Sequence, residues 1–243
     1  MNFIKRFLLK SRWIGTPPLK AGELLRESSQ IKQGLVMGMH LAVLEDQAAA
    51  VVAEGRLVSV FLPGAYQLLQ DKMPPLTPDE KYDWLYPAQL YFLNMAPTPV
   101  EPWRPEEPLL TRDPERGLVQ LLLAGEYEVQ VKNAALFMQS IVLEHGYYDW
   151  PALHLYLCER LNELAVSLLA HNQIAVARLG KMKKKTALTL QQQLNRELRG
   201  RGLIMLNMRI HTLDVHPQML AMWQDQRDYL AYNMAIARSI ESG

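Results

Sequence analysis

Residues 199–217 read RGRGLIMLNMRIHTLDVHP, and this stretch decides the fold. Leucines before it recur every four residues, which predicts an amphipathic helix that ends at Gly200 or Gly202. Pro217 closes the stretch, and another amphipathic segment follows it. A strand therefore lies between two helices late in the chain. We expect it to return to a sheet that begins near residue 40, so that the intervening helices pack across one face of an antiparallel sheet.

Within this stretch apolar and polar residues alternate, as they do in a half-buried strand. The side chains expected to face the core are Ile204, Leu206, Met208 and Ile210. Those expected to face solvent are Asn207, Arg209 and His211.

The segment from Gly34 to Leu69 is also strand-like, because short apolar runs are separated by turn-forming dipeptides. Glu54-Gly55 predicts a hairpin. Pro63-Gly64 predicts a turn, since proline presets φ and glycine accepts a positive φ. We expect three antiparallel strands in this segment.

The middle of the chain, residues 71–116, is rich in proline and is predicted to be mostly loop. Tyr82, Trp84 and Tyr86 alternate within it like residues of a strand. A second strand pair is expected over GLVQLLLAGEYEVQVKN, and Asn133 at its end is a good N-cap for a helix. These elements predict an α+β fold: a twisted antiparallel sheet flanked by helices, with an N-terminal amphipathic helix and a short C-terminal helix.

The composition is that of a globular protein, with 49% hydrophobic and 21% charged residues among 243. One cysteine, Cys158, excludes an intrachain disulfide and a cysteine-rich zinc site. No run approaches the roughly 20 apolar residues that span a bilayer, and no signal peptide is recognisable. We therefore expect a cytoplasmic protein that does not cross a membrane by itself.

The net charge of +1 conceals two basic stretches, of which the first is at the N-terminus. Residues 1–20 carry five Lys or Arg and no acid, and apolar side chains at helical spacing predict a basic amphipathic helix over the first fourteen residues. Such a helix either binds the surface of an anionic membrane or docks on its own domain, and a targeting or partner role is a third alternative. The candidate membrane-binding residues are Phe3, Ile4, Lys5, Arg6, Phe7, Leu8, Lys10, Arg12, Trp13 and Ile14.

The second basic stretch, residues 178–201, carries eight basic residues and one acid. Its segment KMKKKT is most simply a solvated connector between helices. Contact with lipid or with an acidic partner is the next alternative. Nucleic-acid binding is not expected, because no recognised module or set of stacking aromatics accompanies the lysines.

No catalytic motif is present. GKMKKKT lacks the second glycine and the preceding strand of a phosphate-binding loop, and no G-x-G-x-x-G follows a strand. His211 and His216, with Asp214 between them, could form a partial metal site, but surface histidines explain them better. Cys158 lies near core positions of a helix, which favours a buried structural thiol over a nucleophile. We predict no enzymatic activity, no cofactor and no metal.

Four segments, in this order, resemble the SPFH or band-7 family, which includes stomatins, prohibitins, flotillins and the bacterial regulators of membrane proteases. They are VLEDQAAAVVAEGRLVSVFLPGAYQLL, QLYFLN, LLLAGEYEVQVKNAALFM and LNRELRGRGLIMLNMRIHTLDVHPQML. The resemblance covers roughly residues 30–225 and is closest to the soluble bacterial branch often labelled virion-core-like. It implies the same twisted sheet flanked by helices. With the residue patterns, it gives four parts: an N-terminal helix and linker (1–28), a strand-rich subdomain (29–110), a second subdomain (111–217) and a C-terminal helix (218–243).

The resemblance also implies a scaffold, because family members typically associate with membranes, form large homo-oligomers and organise lipids or partner proteins without catalysis. This chain departs from the family pattern in lacking a transmembrane segment and in having a tail of only about three heptads. A small ring or arc is therefore easier to build than a closed cage. The residues expected to mediate oligomerisation are Met219, Met222, Trp223, Tyr229, Leu230 and Ile236.

Two functions are compatible with these features. The first is a non-enzymatic, membrane-peripheral oligomeric scaffold at the cytoplasmic face of the membrane, which organises membrane or partner proteins in an envelope-stress response. The second is a soluble adaptor that binds one protein, such as a membrane protease or a component of a larger machine. Both require a protein partner that the sequence does not identify.

Overall fold

The computed structural model describes residues 13–31, 34–69, 85–146, 148–171 and 176–241. These residues form thirteen strands and four α-helices, so the predicted α+β class is confirmed. The predicted N-terminal helix lies mostly outside them.

The strands are β1 (Trp13–Ile14), β2 (Leu25–Glu27), β3 (Leu35–Val36), β4 (His40–Val43), β5 (Gln47–Ala53), β6 (Arg56–Phe61), β7 (Gly64–Gln67), β8 (Leu85–Tyr86), β9 (Gln89–Asn94), β10 (Glu101–Trp103), β11 (Leu109–Asp113), β12 (Gly117–Val131) and β13 (Leu203–Val215). The α-helices are α1 (Ala134–Phe137), α2 (Trp150–His171), α3 (Leu179–Gly200) and α4 (Pro217–Glu241). A π-helix, Met138–Leu143, continues α1, and 3-10 helices form at Ser29–Ile31 and Val176–Arg178.

The strands form four sheets: β1-β4-β7, β2-β9-β5-β6, β3-β8, and β10-β12-β11 with β13 also paired to β12. The chain divides into two compact units. The first unit contains the described residues up to Glu101 together with Glu128–Leu157 and Leu194–Asn207. The second unit contains Pro102–Tyr127, Cys158–Gln193 and the described residues from Met208 onward.

The core of the first unit is built around β5, the strand between β6 and β9. All seven residues of β5 are buried, as expected of a strand covered on both faces. Small side chains of β5 lie opposite large ones of β9: Ala49 is in register with Phe92, and Ala50 with Tyr91. This size alternation fills the space between neighbouring strands without a void.

The turn between β5 and β6 is the predicted hairpin. Glu54 and Gly55 both have positive φ, at 49° and 71°, as a two-residue hairpin turn requires. Pro63-Gly64 separates β6 from β7 but does not make a hairpin, because β7 pairs with β4 rather than with β6. The prediction of three strands here was wrong: five strands form, and they are shared among three sheets.

Two further predictions in the middle of the chain were wrong. Strands β10 and β11 form in the region assigned mostly to loop, and β12 is one strand of fifteen residues rather than a pair. Gly125 does not turn the chain. A Cβ at this glycine would lie 2.2 Å from the carbonyl oxygen of Arg209, so the residue permits close approach of another backbone.

The late strand, β13, pairs with β12 and not with the strands near residue 40, so that prediction was wrong. The predicted core positions Met208 and Ile210 are buried, whereas Ile204 and Leu206 are only half-buried. The buried positions change phase twice along the strand, as they do when an extra residue interrupts the alternation. They are Leu203, Met205, Met208, Ile210, Leu213 and Val215.

Two predicted helix boundaries, the start at Asn133 and the end at Gly202, are confirmed. The Asn133 side chain accepts a hydrogen bond from the Leu136 amide at the start of α1. Gly202, at φ +74°, follows the last turn of α3, and its carbonyl accepts hydrogen bonds from the Lys132 and Asn133 amides. The end of α3 and the start of α1 are therefore fixed to each other within the first unit. The leucine stripe of α3 is fully buried, at Leu190, Leu194 and Leu198.

Candidate functional site

Most of the predicted membrane-binding segment lies outside the described residues: Phe3, Ile4, Lys5, Arg6, Phe7, Leu8, Lys10 and Arg12. The structure places the other two members, Trp13 and Ile14, in β1, so the helix predicted through Ile14 is wrong at these two positions. Strand β1 pairs in parallel with β4, and Ile14 lies opposite Leu41. Ile14 is fully buried in the core of the first unit, which rules it out as a membrane contact.

Trp13 remains at the surface, where 55% of its area is exposed. Its ring packs against the imidazole of His40 with centroids 4.8 Å apart. The buried Nδ1 of that imidazole has no hydrogen-bond partner among the described residues. The structure therefore offers one large aromatic side chain immediately after the basic N-terminal segment.

The predicted oligomerisation residues lie on α4, in the second unit. Met222 and Leu230 are exposed, while Met219 and Trp223 are half-buried. The side chains of Tyr229 and Ile236 are outside the described part. Two further apolar residues of this helix, Leu220 and Met234, are also exposed.

The first turns of α4 are anchored to the hairpin of β11 and β12. The amide of His216 donates to the carbonyl of Gln120 at 2.8 Å. About two turns further along, the guanidinium of Arg116 stacks 4.3 Å from the ring centroid of Trp223. One face of this ring is therefore already occupied within the chain, and exposed apolar residues of α4 lie on both sides of this anchor along the helix.

A buried carboxylate, Asp113, holds this hairpin and the approach to α3 together. It accepts hydrogen bonds from the amides of Glu115 and Arg116, both at 2.8 Å, and of Val176 at 2.7 Å. The Val176 amide is the main reason that the pKa of Asp113 is lowered. Sequence reasoning missed Asp113, although Asp-Pro followed by glycine three residues later is a recognisable turn signal.

The lysine segment predicted as a connector is helical, because KMKKKT lies within the first turns of α3. Lys183 donates to the carbonyl of His211 at 2.8 Å and lies 3.5 Å from the carboxylate of Asp214. The other cations around the start of α3 are exposed: Arg178, Lys181, Lys184 and Lys185. The helix thus presents a basic surface on the second unit.

The two histidines weighed as metal ligands have other contacts. The Nε2 of His211 lies 3.0 Å from the carboxylate of Glu126, which also lies 3.7 Å from Arg209. The Nδ1 of His216 accepts from the Gln218 amide at 3.4 Å. Cys158 is half-buried rather than buried, because it lies beside and not within the row of core leucines of α2.

A shallow cleft opens in the first unit. Apolar side chains, including Leu153, Leu203 and the indole of Trp150, form much of its lining. Its polar groups are engaged: Gln130 donates to the carbonyl of Met95 at 2.7 Å, and Asn94 donates to that of Glu23 at 3.1 Å. Within the described residues this cleft holds no group of three potential metal ligands.

None of the helices in the described part of the chain is long and apolar enough to cross a membrane. A family model described as SPFH domain-Band 7 family matches residues 26–227, which is most of the chain. No curated protein matches the chain at a significant level. The match confirms the family resemblance, while the assignment to one bacterial branch stays a prediction.

Proposed function

Because the chain belongs to the SPFH domain-Band 7 family, we propose that it is a non-enzymatic, membrane-peripheral scaffold that self-associates through α4 and organises membrane or partner proteins. Membership of this family fits a membrane-associated scaffold in general. We further propose which surfaces are used: residues 1–12 for attachment to lipid and α4 for self-association. Its location would be the cytoplasmic face of the membrane.

The observation that carries the proposal is the exposed apolar stripe of α4. Leu220, Leu230 and Met234 are all at least half exposed. With Trp223 and Arg227 between them, they follow the alternating spacing of three and four residues that places side chains on one side of a helix. We name these five residues the α4 stripe. A helix that is anchored at its base and exposes such a stripe is suited to packing against a second copy.

Trp223 and Leu230 of this stripe are among the residues predicted to mediate oligomerisation, whereas the predicted Met219 and Met222 each lie one position before a stripe residue. Exposure favours the α4 stripe as the contact, because Leu220, Leu230 and Met234 are each more exposed than Met219 or Met222. Arg227 interrupts the apolar residues at the centre of the stripe. A polar residue at a seam position lowers stability but specifies register and oligomeric state.

Membrane attachment is proposed for residues 1–12, which precede β1. Four cations without an acid would be drawn to anionic lipid, each contributing about 1 kcal/mol near the surface. Trp13, exposed at the end of the segment, is an aromatic side chain suited to the interfacial zone. The segment is short, so repetition of it in an assembly would strengthen attachment.

Sedimentation velocity of the full chain tests self-association. We expect the wild type at micromolar concentration to form an assembly larger than a dimer. Leu230→Glu with Met234→Glu places charges in the proposed contact and should give a monomer. The matched control, Leu62→Glu with Val100→Glu, adds the same charge at exposed apolar positions in the first unit and should assemble normally. A monomeric wild type, or equal assembly of both double variants, contradicts the proposal.

A further inference from the structure

The outward side of α3 carries a basic face within the second unit. Lys181, Lys184 and Lys185 are exposed. At about 100° per residue they lie opposite the side on which Leu190 is buried. Leu188, with 48% of its area exposed, continues the same face one turn further along. We name these four exposed residues the α3 face.

The charges of the α3 face are not balanced locally. No Asp or Glu occurs between Glu163 and Glu197. Among the described lysines of α3, it is Lys183 that has a carboxylate, Asp214, within ion-pair distance. Lys181 and Lys185 repel each other because they are four residues apart, and cations at the start of a helix oppose its dipole. Helix stability therefore does not account for the α3 face.

We infer that the α3 face is an electrostatic contact with an anionic membrane surface, separate from the N-terminal segment. The inference rests on the proposed peripheral membrane function. Lysines reach lipid phosphates through flexible apolar stems, and an exposed leucine among them can enter the interfacial zone. A nucleic-acid site would leave Leu188 in water, and residues 176–193 contain no aromatic side chain on which a base could stack.

The test is cosedimentation of the full chain with phosphatidylcholine vesicles, with and without phosphatidylglycerol. Lys181→Gln, Lys184→Gln and Lys185→Gln are combined in one variant. The control combines Lys20→Gln, Arg56→Gln and Lys132→Gln, which removes the same charge from exposed positions in the first unit. Removing the three lysines of the α3 face should lower partitioning onto anionic vesicles about 100-fold, at roughly fivefold for each lysine.

The control variant should stay within about threefold of the wild type, because its cations are not expected to face lipid. Thermal melts should show the α3 variant to be at least as stable as the wild type, since it loses like-charge repulsion. Equal partitioning of the two variants would overturn the inference and leave the proposed function standing. A wild type that binds no vesicles would contradict the proposed function itself. If the α3 variant instead lost affinity for duplex DNA with vesicle binding unchanged, the inference would also fall.

Discussion

At the scale of single residues, two glycines with different surroundings show how backbone contacts constrain the sequence. Gly125 has no room for a side chain, because a Cβ there would meet the carbonyl of Arg209. Gly180, near the start of α3, has open space around the same position. Both are glycines in regular secondary structure, but their environments predict opposite effects of alanine.

Gly125→Ala should lower the free energy of unfolding by about 1–3 kcal/mol, since the strands must move apart to admit the methyl group. Gly180→Ala should raise it by about 0.5–1 kcal/mol, since alanine costs less backbone entropy in a helix. Urea denaturation at neutral pH measures both. Equal destabilisation by the two variants would show that the close approach at Gly125 is not a constraint.

Asp113 is a third residue whose substitution should change the free energy of unfolding. Asp113→Asn should lower the free energy of unfolding by about 1–3 kcal/mol, because three amides lose a charged acceptor. Glu115→Gln, which removes one exposed charge from the same turn, is the control and should have little effect.

The pH dependence gives a second measure of the same contact. The pKa of Asp113 is lower in the folded chain than in the unfolded chain. Its stabilisation is therefore present above the unfolded pKa, near 3.9, and is lost as pH falls through the lower folded pKa. The difference in stability between wild type and Asp113→Asn should shrink on acidification. A difference that is constant from pH 7 into the acid range would contradict this assignment.

At the scale of secondary-structure elements, β13 provides a test of which residues face the core. Met205 is buried, whereas the adjacent Leu206 is half-buried. The Met205 amide donates to the Asn195 side chain at 2.7 Å, and the Met205 carbonyl accepts from the same side chain at 2.9 Å. Met205→Asp should abolish cooperative folding, because the carboxylate would be buried without a partner. Leu206→Asp should leave a cooperative transition with a lower midpoint. If Leu206→Asp instead abolished the cooperative thermal transition and Met205→Asp did not, the strict alternation predicted from the sequence would be correct.

Local signals predicted these elements well because each one acts within a few residues. The Asn133 cap, the Glu54-Gly55 turn and the leucine stripe of α3 depend only on neighbouring side chains and backbone. The errors concern partners distant in sequence. Nothing near β13 indicates that it pairs with β12, and nothing near Ile14 indicates that a strand partner, β4, removes it from the predicted helix.

The anchor of α4 is an element-scale feature that the sequence did not reveal, because Arg116 and Trp223 are far apart along the chain. Arg116→Gln removes the cation from the ring and should cost about 0.5–1 kcal/mol of local stability. Hydrogen exchange of amides in the first turns of α4 should accelerate accordingly, while amides of β5 should be unaffected. Unchanged exchange in α4 would show that the stacking does not hold the helix.

At the scale of the whole molecule, the proposed scaffold combines self-association through α4 with attachment through the N-terminal segment. The sequence indicated both surfaces by their composition, since apolar residues at helical spacing and uncompensated cations are visible without a structure. The limits of these surfaces depended on the fold. Burial removed Ile14 from the predicted membrane-binding residues, and exposure added Leu220 to the proposed contact on α4.

Attachment through the N-terminal segment predicts two separable responses. Changing Lys5, Arg6, Lys10 and Arg12 together to Gln should release the chain from anionic vesicles, and added salt should weaken wild-type binding, since charges are screened over roughly 10 Å at 0.1 M salt. Phe7→Glu should prevent attachment at any salt by removing an inserted apolar side chain. If Phe7→Glu lowers the melting temperature and leaves vesicle binding unchanged, the segment packs on its own domain instead.

Flotation of the full wild-type chain with anionic vesicles tests the central claim most directly. The account predicts that the chain rises with vesicles containing phosphatidylglycerol, stays at the bottom with phosphatidylcholine alone, and is recovered from the floated fraction as an assembly after crosslinking. A wild-type chain that stays at the bottom of the gradient with both kinds of vesicle would contradict the account and would favour a soluble adaptor.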